Sequence, residues 1–416
     1  MANDFKEVLS RKKFVYLWTS QLLSQATINI MNFLLLAHLY VETESTIATS
    51  LLWIAYSLPA LFLGPIGAAS VDLVSRRKML MFTNLLQALT IFTYIFLDQK
   101  SIFILYAVVL MYSILNQFYG PAEASYLPST VNKKELPHAN SIFLITQQSS
   151  IVLGFGLAGI IQRVIGFNGA LVLCSVFLFI AFISTSFLTE IAPDKKIPDK
   201  IENLIKTFFD SIMEGYQYIK KNNAVLFPLL ILLGIQAALA IVIVSLPVIA
   251  TQILHISVNY SGVSIVVPAG IGAVAGSIYV PRLIKQGWRK KTIIETSLGL
   301  VAFSVLALSL GIPYLPLGLR LTATPILILL SGFSFVGIDI PALTFLQNET
   351  PLWLRGRVFG NLWFLVTIVT IFPVLFSGAI TEIFGIRTLF SLMGILALVG
   401  LVISMRKGQK FINERF

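Results

Sequence analysis

The chain has 416 residues, of which 56% are hydrophobic and only 12% are charged. Soluble domains carry about 25% charged residues, so this composition, with a mean hydropathy of +0.86, excludes an ordinary water-soluble protein. The net charge of +11 comes from small basic clusters between apolar runs, a pattern that favours lipid headgroups over nucleic acid. We therefore predict membrane lipid as a partner and no nucleic acid.

Twelve apolar runs follow one another along the chain. Each is long enough for a helix that crosses a hydrocarbon core of about 30 Å, which takes about 20 residues. Strands of a membrane barrel would be half as long and would alternate in polarity. We predict an all-α integral membrane protein with twelve spans. They cover residues 14–40, 46–70, 79–97, 101–126, 141–163, 168–189, 225–252, 260–284, 292–311, 321–346, 358–381 and 388–405.

The Lys and Arg residues are unevenly shared among the polar segments that flank these runs. Of the 30, 26 fall in the seven odd-numbered segments, and the even-numbered segments hold only Lys100, Arg163, Arg320 and Arg387. Cytoplasmic loops retain Lys and Arg. The pattern predicts a multi-pass protein of the cytoplasmic (inner) membrane with both termini in the cytoplasm.

Residues 190–224 form the one long connection. The segment opens with APDKKIPDK, and apolar residues then recur at helical spacing opposite charged ones, which is typical of an amphipathic helix on a membrane surface. The apolar positions are Ile201, Leu204, Ile205, Phe208, Ile212, Tyr216 and Ile219. We predict an amino-terminal bundle over 1–189, a cytoplasmic linker over 190–224 and a carboxyl-terminal bundle over 225–416.

The two six-span halves are related in sequence. Gly159 and Gly166 frame one segment, and Gly378 and Gly385 frame a similar one 219 residues later. Six is an even number of crossings, so both halves have the same orientation. Such parallel repeats place a substrate site between the halves near the midplane of the membrane. We predict two pseudo-symmetric six-helix bundles.

The loop after the second span carries the string GPIGAASVDLVSRRKML, from Gly64 to Leu80. Here the chain resembles the major facilitator superfamily, with Asp72, Arg76, Arg77 and Lys78 at matching positions. The resemblance implies that these residues form a gate latch, in which the carboxylate faces the start of helix 11. The alternative is a simple orientation signal of basic residues.

Two further strings resemble the loops of twelve-span drug exporters, the macrolide-efflux and enterobactin-exporter group. They run from Tyr119 to Ser141 and from Phe345 to Asn361. Arg355 and Arg357, in the second string, have either a gating role or a bracing role at the membrane interface. In the fifth span, Phe155 stands where antiporters of the superfamily tend to have proline.

Polar residues inside the spans are the candidates for a substrate cavity, because such groups are costly when they face lipid. The resemblance implies that helices 1, 4, 7 and 10 line the cavity, and these offer Asn29, Asn32, Asn116, Gln117, Gln236 and Asp339. The alternative for each amide is an interhelical hydrogen bond of about 0.6 kcal/mol with no ligand.

Asp339 is the carboxylate predicted to lie deepest within a span. A low dielectric favours the neutral acid, so Asp339 is our candidate carrier of a coupling proton, with a static polar pair as the alternative. Glu123 is a second candidate. Because Glu123 and Glu295 lie nearer the ends of their spans, we expect both to be solvated.

We therefore expect a secondary transporter that exports hydrophobic or amphipathic small molecules in exchange for protons by alternating access, working as a monomer. Uptake or flipping of a lysophospholipid or metabolite is a second hypothesis, and a membrane sensor or scaffold is a third. The sequence shows no Walker loop, and its three histidines lack metal-ligand spacing. We expect no enzyme activity, metal or cofactor.

The predicted topology can be checked by labelling. With Cys174, the single cysteine, replaced by serine, a cysteine at position 100 or 387 should react with a membrane-impermeant maleimide on intact cells. A cysteine at position 133 is the control and should react only after permeabilisation. Labelling at 100 or 387 only after permeabilisation would contradict the twelve-span topology.

Overall fold

The computed structural model describes residues 2–71, 73–190, 210, 213–214, 216–217, 219–220, 223–351 and 354–411. Within these ranges the chain is helical, with short 3-10 and π-helical turns and no strand. It forms two compact units, one made of residues 1–42 and 54–208 and the other of residues 43–53 and 209–416. The predicted domain boundaries at 189 and 224 stay predictions.

The described helices are numbered here in chain order. They are α1 (Ala2–Ser10), α2 (Lys12–Thr43), α3 (Thr46–Ser70), α4 (Arg76–Tyr94), α5 (Ile102–Tyr126), α6 (Leu136–Ser186), α7 (Asn223–Val244), α8 (Val267–Lys285), α9 (Lys290–Leu306), α10 (Leu317–Glu349), α11 (Arg355–Phe384) and α12 (Ile386–Phe411). Short π-helical turns at Ile249–Leu254, Gly262–Val266 and Ala307–Gly311 accompany α7, α8 and α9.

The all-helical membrane fold is confirmed, whereas the count of twelve spans is not reached by length and hydropathy alone. In the part of the chain that the structure describes, nine helices are long and apolar enough to cross a membrane, or ten if a bent pair is one span. The 51-residue α6 counts once, although it is broken at Gly166. The helix α4 is absent from that set, and it opens on three basic residues.

The predicted repeat has a structural counterpart at the second glycine of each framed segment. Gly166 breaks α6 with φ 76° and ψ 169°, and Gly385 separates α11 from α12 with φ 82° and ψ 160°. Residues with a side chain rarely adopt a left-handed φ, because their Cβ clashes with the backbone, whereas glycine adopts it readily. Two positions 219 residues apart thus interrupt the helical chain with nearly the same backbone conformation.

The first unit has a core in which α2 is deeply buried. One cluster joins Val8 of α1, Leu17 of α2, Leu80 of α4 and Tyr126 of α5. Residues that point outward are also apolar, such as Phe96 and Phe103. A belt of exposed apolar side chains is what a bilayer requires, because lipid tails solvate it.

The second unit is held together by helices that approach each other closely at small residues. A Cβ at Gly332 of α10 would collide with the backbone of Ala269 in α8, and one at Gly272 of α8 would collide with the backbone of Leu329. Interfaces between membrane helices favour such residues because they allow backbones to pack in contact. The helices α8 and α10 are therefore one tightly packed pair.

The described end of the linker packs on the second unit. Ile219 is only 3% exposed and joins a cluster with Val225, Ile294 and Ile338, whereas Tyr216 points outward. We predicted that both residues lie on one lipid-facing side, and for Ile219 this was wrong because the helices of the unit offer it an apolar groove. The rest of the predicted amphipathic helix lies outside the described residues.

The close contact between α8 and α10 predicts that a single methyl group added at this contact lowers the stability of the protein. Gly332→Ala should destabilise the protein by about 1–3 kcal/mol, because a backbone carbonyl cannot move aside as a flexible side chain can. Gly234→Ala in α7 is the matched control, since a Cβ at this position would have no neighbour within 4 Å and alanine favours a helix. Thermal unfolding of the purified protein measures both, and equal melting temperatures would contradict the packing.

Candidate functional site

Glu123 lies near the carboxyl end of α5, and its side chain is buried. Our expectation that it is solvated was wrong. The helix continues to Tyr126 and is followed by a 3-10 turn at Leu127–Ser129, and Tyr126 and Leu127 belong to the apolar cluster that covers this end of the unit. A carboxylate predicted to be solvated near a helix end is thus buried in the first unit.

A chain of hydrogen bonds leads from Glu123 through three helices of the first unit. The Tyr119 hydroxyl donates to Glu123 Oε1 at 2.9 Å, and Ser20 Oγ of α2 lies 3.0 Å from the Tyr119 hydroxyl. Asn84 Nδ2 of α4 donates to Ser20 Oγ at 3.0 Å. All four residues are buried. Among the described residues, no cation contacts Glu123.

The candidate cavity amides of the first unit have mostly local partners. Asn29 Nδ2 donates to the carbonyl of Gln25 at 2.7 Å, and Gln117 Nε2 donates to that of Ser113 at 3.2 Å. Asn32, half-buried, hydrogen-bonds the Tyr56 side chain. Asn116 is also half-buried. The amide oxygens of Asn29 and Gln117 take no part in these bonds, so their role toward a ligand stays a prediction.

Gln236 in α7 and Asp339 in α10 belong to the second unit, and both are half-buried. In the described residues Asp339 has no ion pair, and its role as proton carrier or as a member of a static polar pair stays a prediction. Glu295, in contrast, lies 3.6 Å from Lys291 Nζ and accepts a hydrogen bond from Ser404 at 3.0 Å. Glu295 is therefore held by two partners, whereas no ion pair of Asp339 is seen among the described residues.

The predicted gate residues are only partly described. Asp72 lies outside the described residues, and for Arg355 and Arg357 the structure gives the start of α11 but no side-chain position. Arg77 Nη2 donates to the carbonyl of Ser186 at 2.5 Å, and Lys78 Nζ lies 3.0 Å from Glu190. Arg76 begins α4. These contacts tie α4 to the end of α6, and the gating role of all six residues stays a prediction.

A second ionic cluster fixes the polar end of the first unit. Arg11, between α1 and α2, donates to Glu135 at 2.7 Å, and Glu135 also accepts from the backbone N–H of Asn132 at 3.0 Å. The Arg11 hydrogen bond is the largest cause, and the Asn132 backbone N–H the second, that lower the pKa of Glu135 from 4.5 to about 2. The cluster joins the first two helices to the start of α6.

Ser20, Asn84 and Tyr119 did not enter our set of candidates. Signals in the sequence point to two of them, Tyr119 and Asn84. Tyr119 and Glu123 are four residues apart, so they share one face of a helix, and Asn84 and Gln87 are three apart in a run that is otherwise apolar. Polar positions at helical spacing within a span face the protein interior.

The family of the chain follows from its sequence over most of its length. Residues 17–373 match the family model of the Major Facilitator Superfamily. The chain belongs to this superfamily. As a major facilitator protein it is a multi-pass membrane protein of the secondary transporter class, which handles small-molecule substrates.

Relatives of known sequence agree with this assignment. The uncharacterized MFS-type transporter YfiS of Bacillus subtilis (strain 168) is 24% identical over 380 residues, which cover 89% of this chain and 87% of the relative. Macrolide efflux protein A of Streptococcus pyogenes is 24% identical over 224 residues, 53% of this chain and 54% of that protein.

Solved structures share the fold at low sequence identity. A bacterial homologue of the human lysosomal transporter Spinster, in an inward-facing and occupied conformation, matches with a TM-score of 0.78 and 11% identity over 98% of both chains. A mutant of the nucleoside transporter NupG matches with a TM-score of 0.73 and 13% identity, over 94% of this chain and 98% of that one. These likenesses show the major facilitator fold and nothing about cargo.

The Arg11–Glu135 pair predicts a pH-dependent part of the stability. Since the pKa of Glu135 is lower in the folded protein, its contribution is complete above about pH 4.5 and is lost as the pH falls toward about 2. Glu135→Gln should therefore unfold more easily than the parent at neutral pH, and this difference should shrink below about pH 4.5.

Unfolding of both proteins followed from pH 7 to pH 3 measures this effect. Glu42→Gln, at an exposed position, is the control and should follow the parent throughout. A difference between Glu135→Gln and the parent that is independent of pH would contradict the assignment.

Proposed function

We propose that this major facilitator protein exports hydrophobic or amphipathic small molecules, of drug, macrolide or siderophore-like type, in exchange for protons by alternating access. It does so as a monomer in the cytoplasmic membrane. The observation that carries the proton-coupled part is the buried carboxylate of Glu123, which has no cation in contact among the described residues.

Export is supported by sequence. The similarity to macrolide efflux protein A covers about half of both chains. The two exporter-like strings at 119–141 and 345–361 add to it, and both lie near the predicted cytoplasmic face. A mostly apolar set of spans with few internal charges suits a cargo that is itself apolar or amphipathic.

Proton coupling is supported by two carboxylates, Glu123 and Asp339. An ionised carboxylate in an apolar interior is costly unless it is paired with a cation, so an acid that lies away from water without a cation binds a proton more readily than an exposed one. Glu123 in the first unit is buried and Asp339 in the second is half-buried, and neither has a cation in contact among the described residues. Glu295 differs, since Lys291 and Ser404 hold it.

The remaining candidates receive roles in the same scheme. Asn29, Asn32, Asn116, Gln117 and Gln236 contact the polar parts of the cargo. Asp72, Arg76, Arg77, Lys78, Arg355 and Arg357 control opening toward the cytoplasm.

Everted membrane vesicles test the proposal. With radiolabelled erythromycin as the probe, vesicles that contain the protein should accumulate the label when their interior is acidified, and nigericin should abolish the accumulation. Glu123→Gln and Asp339→Asn should each lower the gradient-dependent rate at least tenfold, because neither side chain can release a proton.

Glu295→Gln is the matched control, a carboxylate of the same unit as Asp339 that already has partners, and should keep the parental rate. Accumulation that is unaffected by nigericin would overturn the coupling. Accumulation of the probe in intact cells instead of everted vesicles would overturn export in favour of uptake.

A further inference from the structure

The hydrogen-bond chain from Glu123 to Asn84 has a definite direction. An ionised carboxylate only accepts, so Tyr119 must donate its single O–H to Glu123. Ser20 must then donate its own hydrogen to the Tyr119 oxygen, and Asn84 Nδ2 donates to Ser20. Every donor in the chain points toward Glu123, which is the arrangement that supports the ionised acid.

The same four groups can form the opposite chain. A protonated Glu123 donates to the Tyr119 oxygen, Tyr119 donates to Ser20, and Ser20 then needs an acceptor. Asn84 Oδ1 can fill this place, because it is buried and has no hydrogen-bond partner among the described residues. An amide carries a donor and an acceptor at one position, so a turn of the Asn84 side chain exchanges them.

We propose that Glu123, Tyr119, Ser20 and Asn84 form a reversible relay, in which uptake of a proton by Glu123 turns the Asn84 amide on a neighbouring helix. The inference rests on the proposed function for its use in transport, but not for its chemistry. Two O–H bonds change: one forms on Glu123 Oε1, and one breaks in a hydronium ion of the surrounding water, which becomes a neutral water molecule. The two hydroxyl groups and the amide only rotate.

The groups around the relay allow its hydrogen bonds to reverse direction without a change in other side chains. The groups that face Glu123 or Tyr119 from the neighbouring helices are neutral: Ser20 and Ser24 from α2, with Asn84 of α4 next along the chain. In the described residues, Tyr119 is the one titratable side chain that contacts Glu123. Among the described residues, no charged neighbour fixes the chain in one direction, and Asn84 relates the protonation state in α5 to α4.

Infrared difference spectra of the purified full-length protein in lipid nanodiscs test the relay without cargo or a proton gradient. The band of protonated Glu123 is identified by its loss in Glu123→Gln. The carbonyl band of Asn84 is identified with ¹³C-labelled asparagine and by its loss in Asn84→Leu. When a pH step protonates Glu123, the Asn84 carbonyl should shift to lower frequency, since Oδ1 gains a donor.

Tyr119→Phe interrupts the relay and keeps the ring. In this variant the Glu123 band should still appear, whereas the shift of the Asn84 band should be lost. Gln87→Leu is the matched control: Gln87 is another buried amide of α4 with an unpartnered oxygen, and it lies outside the chain. Both signals should persist in that control.

The relay is overturned if the Asn84 carbonyl stays unchanged while Glu123 takes up a proton, or if it still shifts in Tyr119→Phe. It is also overturned if Glu123 shows no carboxyl band at any pH. Should Asn84→Leu fail to fold, the labelled parent and Glu123→Gln still decide. If the Glu123 and Asn84 bands change together but erythromycin is not exported, only the proposed function is refuted. If erythromycin is exported but the two bands do not change together, only the relay is refuted.

Discussion

The hydrocarbon core of a membrane offers no hydrogen-bond partner, and the structure depends on this constraint throughout. Backbone groups are satisfied within helices, so the described chain is helical. Polar side chains in the spans bond to their own helix, as Asn29 does, or to a neighbouring helix, as Asn84 does. A buried group that finds no partner of either kind is costly to keep, and Asn84 Oδ1 and Gln87 Oε1 are two such groups among the described residues.

Helix association follows from the same constraint. Apolar side chains gain nothing by leaving lipid for protein, so contact depends on how closely backbones can approach. Glycines at the α8–α10 contact allow backbone to touch backbone, and Gly154 of α6 leaves room for the Cβ of Asn29 in α2. In the latter place a small residue and a polar residue meet, so close packing also fixes where the amide lies.

Much of the fold could be predicted from the sequence, because hydropathy and charge report directly on lipid and on the two faces of the membrane. The second predicted span, 46–70, coincides with α3, and the matched glycines Gly166 and Gly385 adopt one conformation. The break at Gly166 also falls between two predicted spans, 141–163 and 168–189. Hydropathy does not show that a single glycine with a left-handed φ makes this break, with no loop between the two helices.

The candidate site was less predictable, and Glu123 explains why. Its position along α5 suggested water, but its exposure depends on the 3-10 turn that follows and on α2 and α4, which lie far away in sequence. The sequence gives the position of a residue along its span, whereas the burial of its side chain depends on the neighbouring helices. Tyr119, Ser20 and Asn84 are ordinary residues when taken singly, and they gain a role only because three helices join them to Glu123 through successive contacts of 2.9, 3.0 and 3.0 Å.

The groups that surround a carboxylate also decide whether it can work as a proton carrier. Glu135 is held by Arg11 and Asn132 so firmly that it stays ionised down to about pH 2, and such a group stabilises a corner of the protein without alternating. Among the described residues, Glu123 accepts its side-chain hydrogen bond from the neutral Tyr119 hydroxyl, which can rotate and accept instead. A proton carrier needs partners that serve both of its states, and hydroxyl and amide groups do so, whereas a guanidinium serves only one.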